Sequence, residues 1–111
     1  MIRHDPRGLA GRAVSAHPAR PAIAVALDTA DARLVVFRIA PGQAVPSHTS
    51  SSTVILSVVS GTGMISGADG ELEVAAGDVV SFVPEEPHGM RAVESELVLL
   101  ATITPRPGER Q

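Results

Sequence analysis

Between residues 21 and 104 the chain alternates short apolar runs with groups of turn-forming residues. The runs, 4 to 9 residues long, are "AIAVALD", "ARLVVFRIA", "STVILSVVS", "GMIS", "ELEV", "DVVSFV", "HGMRAV" and "ELVLLATIT". Their length, their β-branched content and the Gly, Asp and Pro residues between them are typical of antiparallel strands. No segment has a convincing amphipathic helical pattern. Eight strands with tight turns predict an all-β barrel or a two-sheet jelly roll.

The two ends of the chain differ from this central segment. Residues 1–20 are rich in Arg, Pro and Ala without a sustained period, and they contain His4 and His17. We expect them to form an N-terminal arm that becomes ordered only by packing on another part of the structure. The last residues, 105–111, read "PRPGERQ" and predict a loose C-terminal tail. A chain of 111 residues is then most simply one barrel domain, residues 21–104, with two extensions.

Composition excludes several functional classes. The formal charge of −3 and the pI near 5.7 give no basic patch, so we expect no nucleic-acid partner. No apolar run approaches the ~18 residues of a membrane span and the start lacks a secretory signal, so a soluble, cytoplasmic protein without a membrane partner is expected. The sequence has no Cys, Lys or Tyr, which excludes thiolate nucleophiles, Schiff bases and tyrosine acid–base chemistry. The histidines are the main candidates for chemistry.

Two segments carry a recognisable pattern. "PGQAVPSH" places five residues between Gly42 and His48, and Gly61 closes the apolar run that follows. "GDVVSFVPEEPH" opens with Gly77-Asp78 and ends at His88. Together these segments resemble the two motifs of the cupin superfamily, and the match covers about residues 21–104. The resemblance implies a double-stranded β-helix, or jelly-roll, barrel.

The same resemblance implies a metal site with four ligands, two of which this chain lacks. His48 and His88 match the first and last ligands, whereas Ser50 stands in place of the second histidine and Thr53 in place of the glutamate. A neutral hydroxyl is a poor ligand for a divalent transition metal compared with imidazole or carboxylate. We therefore expect no tightly bound cofactor, and at most a divalent transition metal bound weakly by the two histidines.

Three interpretations of the histidines remain open at this point. They can be remnant polar residues that are hydrogen-bonded inside the barrel mouth. They can line a metal-free pocket in which His48, Ser50, Thr53 and His88 converge on a small polar or anionic molecule. Or they can form a two-histidine centre completed by water, substrate or Met90, which lies two positions after His88 and has a thioether suited to copper.

These interpretations support two functions. The leading one is a small-molecule-binding domain with a degenerate metal site, its pocket formed by His48, Ser50, Thr53, His88 and Met90. The alternative is a metal-dependent enzyme of oxygenase or isomerase type with an unusual two-histidine centre. Arg38 is expected to point outward into solvent, with an anion clamp at the barrel mouth as the less favoured alternative.

Strand patterns also bear on assembly. "ELEV" predicts Leu72 and Val74 inward and the two glutamates outward. In "TVILSVV" both faces are largely apolar: Val54, Leu56 and Val58 on one, and Ile55, Ser57 and Val59 on the other. A single barrel buries only one face of each strand, and the arm is too polar to cover much of the other. We therefore expect a homodimer.

Overall fold

The computed structural model describes residues 1–106, and residues 107–111 of the predicted C-terminal tail lie outside the described part. The described residues form one short helix and nine strands: α1 Pro6–Arg12, β1 Ala22–Asp28, β2 Arg33–Ile39, β3 Ala44–His48, β4 Thr53–Ser60, β5 Thr62–Gly67, β6 Gly70–Ala75, β7 Val79–Phe82, β8 His88–Arg91 and β9 Leu97–Thr104. No helix within residues 1–106 has the length and apolar character needed to cross a membrane.

The strands form two antiparallel sheets that face each other. One sheet has the order β1-β2-β9-β4-β7 and the other the order β3-β8-β5-β6. The prediction of an all-β barrel of the double-stranded β-helix type is confirmed. The structure has one strand more than the eight apolar runs predicted. The additional strand is β3, which the pattern did not indicate because Val45 is its only half-buried apolar residue and it contains Pro46. The pairing of β3 with β8 is irregular between Val45 and His48, as expected around a proline.

Inward-facing residues of both sheets make a single core. Alternate residues of β4 are buried, as the period of two in a half-buried strand requires, and in β9 Leu97, Leu99 and Ala101 follow the same period while Val98, on the other face, is buried under α1. The buried members of this core are Val35, Ile39, Val54, Leu56, Val58, Ile65, Val74, Phe82, Met90, Ala92, Leu97, Leu99 and Ala101. The core therefore lies between the sheets and ends in a hollow where β3 and β8 meet.

Leu72 of "ELEV" lies on the inward face, as predicted, because it pairs with the buried Ile65, but its side chain is not covered. Val74 is buried at 4% exposure, as predicted, but Leu72 is 60% exposed. Strand β6 is at the edge of its sheet and pairs only with β5, so residues near its start lack a second neighbouring strand to cover them.

The N-terminal arm contains a short helix that no amphipathic pattern in the sequence indicated. Pro6 begins α1, a position where its missing N–H costs no hydrogen bond, and Ala10 is buried against Val36 and Val98. The helix has only two turns, which is too short for a periodic apolar pattern to be seen in sequence. Leu9, Val59 and Leu100 pack around the same cluster. The arm thus covers part of the outward face of the five-stranded sheet.

Arg38 has a different role from the two that were expected. Its guanidinium donates from one Nη atom to the Ala10 carbonyl oxygen at 2.6 Å, and it also reaches the Gly11 and Ala13 carbonyls at 3.5 Å. These carbonyls lie at the C-terminal end of α1 or just after it, where the helix offers few backbone donors, and the Ala10 carbonyl also accepts from the Ala13 N–H at 3.3 Å. Arg38 therefore holds the helix onto the sheet.

Candidate functional site

The two motif histidines are neighbours across a pair of strands. His48 ends β3, His88 begins β8, and the antiparallel register places the two residues directly opposite each other. Their ring centroids are 4.3 Å apart, with an angle of 60° between the ring planes. The Phe82 ring lies 5.0 Å from that of His88. Strand pairing thus joins two imidazoles that are forty residues apart in the chain.

Hydrogen bonds to the backbone determine which nitrogen of each ring is free. His48 Nδ1 lies 2.9 Å from the Pro46 carbonyl oxygen, and His88 Nδ1 lies 3.0 Å from that of Glu86. A carbonyl only accepts hydrogen bonds, so Nδ1 carries the hydrogen in both rings. No hydrogen bond within residues 1–106 uses either Nε2 atom. In the neutral rings these two Nε2 atoms are therefore acceptors without a partner from the described residues.

The rings open into a hollow of about 220 Å³ at the end of the core. Four of its lining residues are polar and six are apolar: His48, Thr49, Ser50 and His88, and Phe37, Val54, Leu56, Met90, Ala101 and Ile103. Among the described residues, no acidic residue and no arginine lines it. The hollow therefore combines a hydrocarbon wall with imidazoles and hydroxyls, as small-molecule pockets commonly do.

The structure brings four of the five sequence-predicted site residues to this hollow. His88 and Met90, on β8, are both 4% exposed, and His48 and Ser50 lie beside them, at the end of β3 and in the loop after it. Ser50 is held there by two contacts: its Oγ accepts from the Ser52 N–H, and its carbonyl accepts from the Glu85 N–H at 2.7 Å.

Thr53 does not line the hollow, and its assignment to the glutamate position is wrong. It begins β4 opposite Thr104, and strand alternation turns it to the face away from Val54. Val54 is 4% exposed and lines the hollow. Counting back from Gly61 with six residues between also reaches Val54, so the motif spacing itself contained the correct register. The glutamate position is therefore occupied by a hydrocarbon side chain.

The residues present do not fit the four-ligand metal centre that the resemblance implies. Within residues 1–106 no group of three or more His, Asp or Glu side chains is close enough to hold a metal ion. The hollow offers two imidazoles, the Met90 thioether and the hydroxyls of Thr49 and Ser50. Neutral hydroxyls and a thioether do not replace an imidazole and a carboxylate for iron, manganese or nickel.

Sequence reasoning missed five residues of the wall other than Val54: Phe37, Thr49, Leu56, Ala101 and Ile103. For the apolar members a signal was available. Phe37 lies on the same face of β2 as the buried Val35 and Ile39, and Ala101 lies on the same face of β9 as Leu97 and Leu99. Inward-facing positions near the end of each strand could therefore have been proposed as pocket wall. Thr49 lies in a loop, and no periodic signal marks it.

The ion pairs with a shifted pKa lie away from this hollow. Arg91 donates to both carboxylate oxygens of Glu71 at 2.8 and 2.9 Å, and this hydrogen bonding lowers the pKa of Glu71. The pKa of Asp28 is lowered in the same way by its hydrogen bond from Arg106. No residue of either pair lines the hollow, so the imidazoles are the titratable groups that the described residues contribute to it.

Comparisons with known proteins agree with this architecture. A family model described as Cupin domain matches residues 35–104. A search of the curated proteins found no match. Among solved structures, TT1209 from Thermus thermophilus has a TM-score of 0.84 at 23% identity, over 96% of this chain and 100% of that one.

Two further solved structures are similar over most of their length. An RmlC-like cupin protein from Desulfovibrio desulfuricans has a TM-score of 0.75 at 27% identity, covering 85% of this chain and 91% of that one. A predicted oxalate decarboxylase from Thermotoga maritima has a TM-score of 0.73 at 23% identity, covering 77% of this chain and 80% of that one.

Proposed function

The chain belongs to the cupin family, and we propose that it is a binding domain for a small molecule, held by two imidazoles without a tightly bound metal. One observation carries the proposal: His48 and His88 both use Nδ1 for backbone carbonyls and both line one largely apolar hollow. Two Nε2 acceptors beside a hydrocarbon wall suit a ligand with a polar head and an apolar body.

The tautomers favour a ligand head that donates hydrogen bonds. A neutral imidazole whose Nδ1–H is already used can only accept at Nε2. A hydroxyl or an ammonium group can donate hydrogen bonds to these two acceptors. A carboxylate can only accept, so it would be repelled by the two Nε2 lone pairs, and no arginine in the described wall would bind it. The hollow of about 220 Å³ is below the ~300–1,000 Å³ of typical ligand pockets. We therefore propose a small alcohol or amine rather than an anion.

A second candidate function is a metal-dependent enzyme of oxygenase or isomerase type. It is supported by the same two Nε2 lone pairs, with the Met90 thioether in the same wall. Water or substrate would have to supply the remaining ligands, because Val54 supplies none. This candidate and the leading one differ in metal content.

The test combines metal analysis with a ligand titration. Protein purified without a His tag and dialysed should retain well under one equivalent of any transition metal. 1-Butanol, added at pH 8, should then shift the imidazole nitrogen NMR signals of His48 and His88. Pentanoate, which has the same butyl group, should shift them less. His4 and His17, which lie in the arm, serve as internal controls whose signals stay unchanged.

Two outcomes would reject the proposal. Stoichiometric iron, manganese, nickel, copper or zinc retained through dialysis would favour the enzyme candidate. Absence of any ligand-induced shift at His48 and His88, with butanol and with butylamine, would reject a binding role for the imidazole pair.

A further inference from the structure

The Phe37 side chain separates the imidazole hollow from a second, larger one. The second hollow is an open groove of about 700 Å³. Its lining residues come from the arm, β1, β2 and β3: Val14, Ala16, Ala19, Arg20, Pro21, Ile23, Phe37, Ala44, Val45 and Pro46. Of the described residues, Phe37 is the one that lines both hollows. One aromatic ring thus forms a shared wall.

The groove exists because two sheet edges meet without pairing. Strand β1 is an edge of the five-stranded sheet, and β3 is an edge of the four-stranded sheet. The arm runs along the opening, held by a bridge between Val14 and Ile23 and by a 2.6 Å hydrogen bond from Gln43 Nε2 to the Pro18 carbonyl. Ile23 lies opposite Phe37 in the β1–β2 register. The groove therefore continues directly from the back of the Phe37 ring.

The groove is a hydrocarbon surface in contact with solvent. Val14 is 79% exposed and Ile23 is 48% exposed, although both line it. Arg20 is the only charged residue that the described part of the chain places in its lining. Apolar surface collected in a concave site, unlike apolar residues scattered singly, is a surface that an alkyl chain can cover favourably once it can reach it.

Phe37 is placed to act as a partition rather than as a core residue. It packs against the main core but is only partly buried, whereas Val35 and Ile39 on the same face of β2 are 5% and 0% exposed. A ligand whose head contacts His48 and His88 has its hydrocarbon part against the wall that contains Phe37. The Phe37 ring then blocks a longer hydrocarbon part sterically, and the groove begins on the other side of this residue.

We propose that Phe37 determines the length of ligand that the imidazole site accepts, because its ring closes the imidazole hollow off from the groove. The proposal rests on the proposed function, because the ligand head must be held by the imidazoles. In the wild type the ring keeps the alkyl end of the ligand out of the groove, and removal of the ring opens the groove to that alkyl end. Phe37 is thus a specificity-determining residue for small alcohols or amines.

The experiment is a chain-length series of primary alcohols, 1-butanol, 1-hexanol, 1-octanol and 1-decanol, titrated into the wild type and Phe37→Ala. In the wild type we expect affinity to rise with length and then stop rising. In Phe37→Ala it should continue to rise by about three- to fourfold per added methylene, the value for burial of hydrocarbon. Val35→Ala is the matched control, since Val35 is on the same strand face but lines neither hollow.

Phe37→Val provides a milder second variant if Phe37→Ala does not fold, as judged by circular dichroism. Equal length dependence in the wild type and the variants would overturn the inference and leave the proposed function intact. Absence of alcohol binding by every protein would overturn the proposed function itself. A second copy of the chain could instead cover the groove. Light scattering would then show a dimer, the amides of Val14 and Ile23 would resist exchange, and the variants would gain no affinity for longer alcohols. This result would also overturn the inference.

Discussion

Two glycines of the first motif have positive φ, but they are under different constraints. Gly42 has φ of 87° and no atom within 4 Å of where a Cβ would lie. Gly61 has φ of 79°, and a Cβ there would lie 1.8 Å from the Glu96 carbonyl oxygen. Both positions favour glycine for backbone reasons, and only Gly61 is also required by a close approach of another segment.

This difference predicts unequal effects of alanine. Gly42→Ala should lower the free energy of unfolding by about 1–2 kcal/mol, the cost of a left-handed conformation in a residue with a Cβ. Gly61→Ala should lower it by more, because the backbone at Glu96, just before β9, must also move away. Urea unfolding of both variants provides the measurement. Equal losses would show that the close approach at Glu96 is easily relaxed.

The corrected register of the motif predicts which double variant acquires a metal. Ser50 and Val54 both line the imidazole hollow, so Ser50→His with Val54→Glu should complete a four-ligand site and bind one equivalent of manganese or nickel. Ser50→His with Thr53→Glu is the matched control, and it should gain much less because Thr53 is on the other face of β4.

Isothermal titration with each metal, with circular dichroism to check folding, distinguishes these outcomes. A glutamate at the buried position 54 will destabilise the apoprotein, and added metal should restore its thermal stability. Equal metal affinity in both double variants would mean that the register of β4 in the site is not the one described above.

At the scale of elements, helix α1 depends on one arginine for its place on the sheet. The helix has two turns, below the length at which a helix is stable alone in water. Arg38 donates to its C-terminal carbonyls and also lies 3.9 Å from Glu96. Hydrogen bonds that involve a charged group contribute about 1.5–3 kcal/mol each, so this contact is large relative to the stability of so short an element.

Arg38→Met should therefore release the arm while leaving the barrel folded. We expect faster amide exchange in α1 and faster tryptic cleavage after Arg12. Arg7→Met, on the helix itself, is the control, because no hydrogen bond or ion pair is described for the Arg7 side chain. Unchanged cleavage in Arg38→Met would mean that the contacts of Leu9 and Ala10 alone hold the helix.

The ion pair between β6 and β8 makes part of the stability depend on pH. The hydrogen bond from Arg91 lowers the pKa of Glu71 below its usual 4.5, so the pair stabilises the fold above that pH, and this contribution is lost as the pH falls through the lowered pKa. Glu71→Gln should be less stable than the wild type at pH 7, and the two should converge at acid pH.

Thermal unfolding from pH 2 to pH 8 measures this dependence. Glu73→Gln is the matched control, because Glu73 lies on the same strand and is exposed without a described ion pair. A constant difference between Glu71→Gln and the wild type over the whole range would exclude the ion pair as its cause.

At the scale of the whole molecule, the expected homodimer remains a prediction. A variant that tests it must change a residue on the outward face of β4, not a core residue. Leu56 is 1% exposed in the core, so Leu56→Glu would unfold the barrel and would not report on assembly. On the opposite face of β4, α1 covers Val59, whereas Ile55 is half-buried and belongs to neither core cluster. The apolar outward surface still open for a second copy therefore lies around Ile55.

Ile55→Glu should shift a dimer to monomer with little loss of thermal stability. Light scattering at high micromolar concentration measures the mass. Thr102→Glu, at the position paired with Ile55 on β9, should have the same effect if this face is the interface. Ala75→Glu, at an exposed position of β6 in the other sheet, controls for added charge alone. A monomeric wild type would contradict the prediction directly.

The sequence alone was sufficient for features that repeat locally. The length and β-branched content of the apolar runs, with the turn residues between them, identified eight of the nine described strands. The motif spacing identified His48 and His88 and the loss of two metal ligands, because those positions are read directly from residue types. It did not identify β3, which has few apolar residues and a proline, or α1, which is too short to show a period.

Only the tertiary structure decided what those residues face. The ring distance of 4.3 Å depends on the pairing of β3 with β8, and that register is set by contacts between segments forty residues apart. The tautomers depend on where the Pro46 and Glu86 carbonyls point, which no residue type specifies. The structure also corrected the glutamate position from Thr53 to Val54, because a shift of one residue turns a strand position to the opposite face. The position of Phe37 between two hollows likewise follows from the meeting of two sheet edges, which is a property of the packed sheets and not of any single segment.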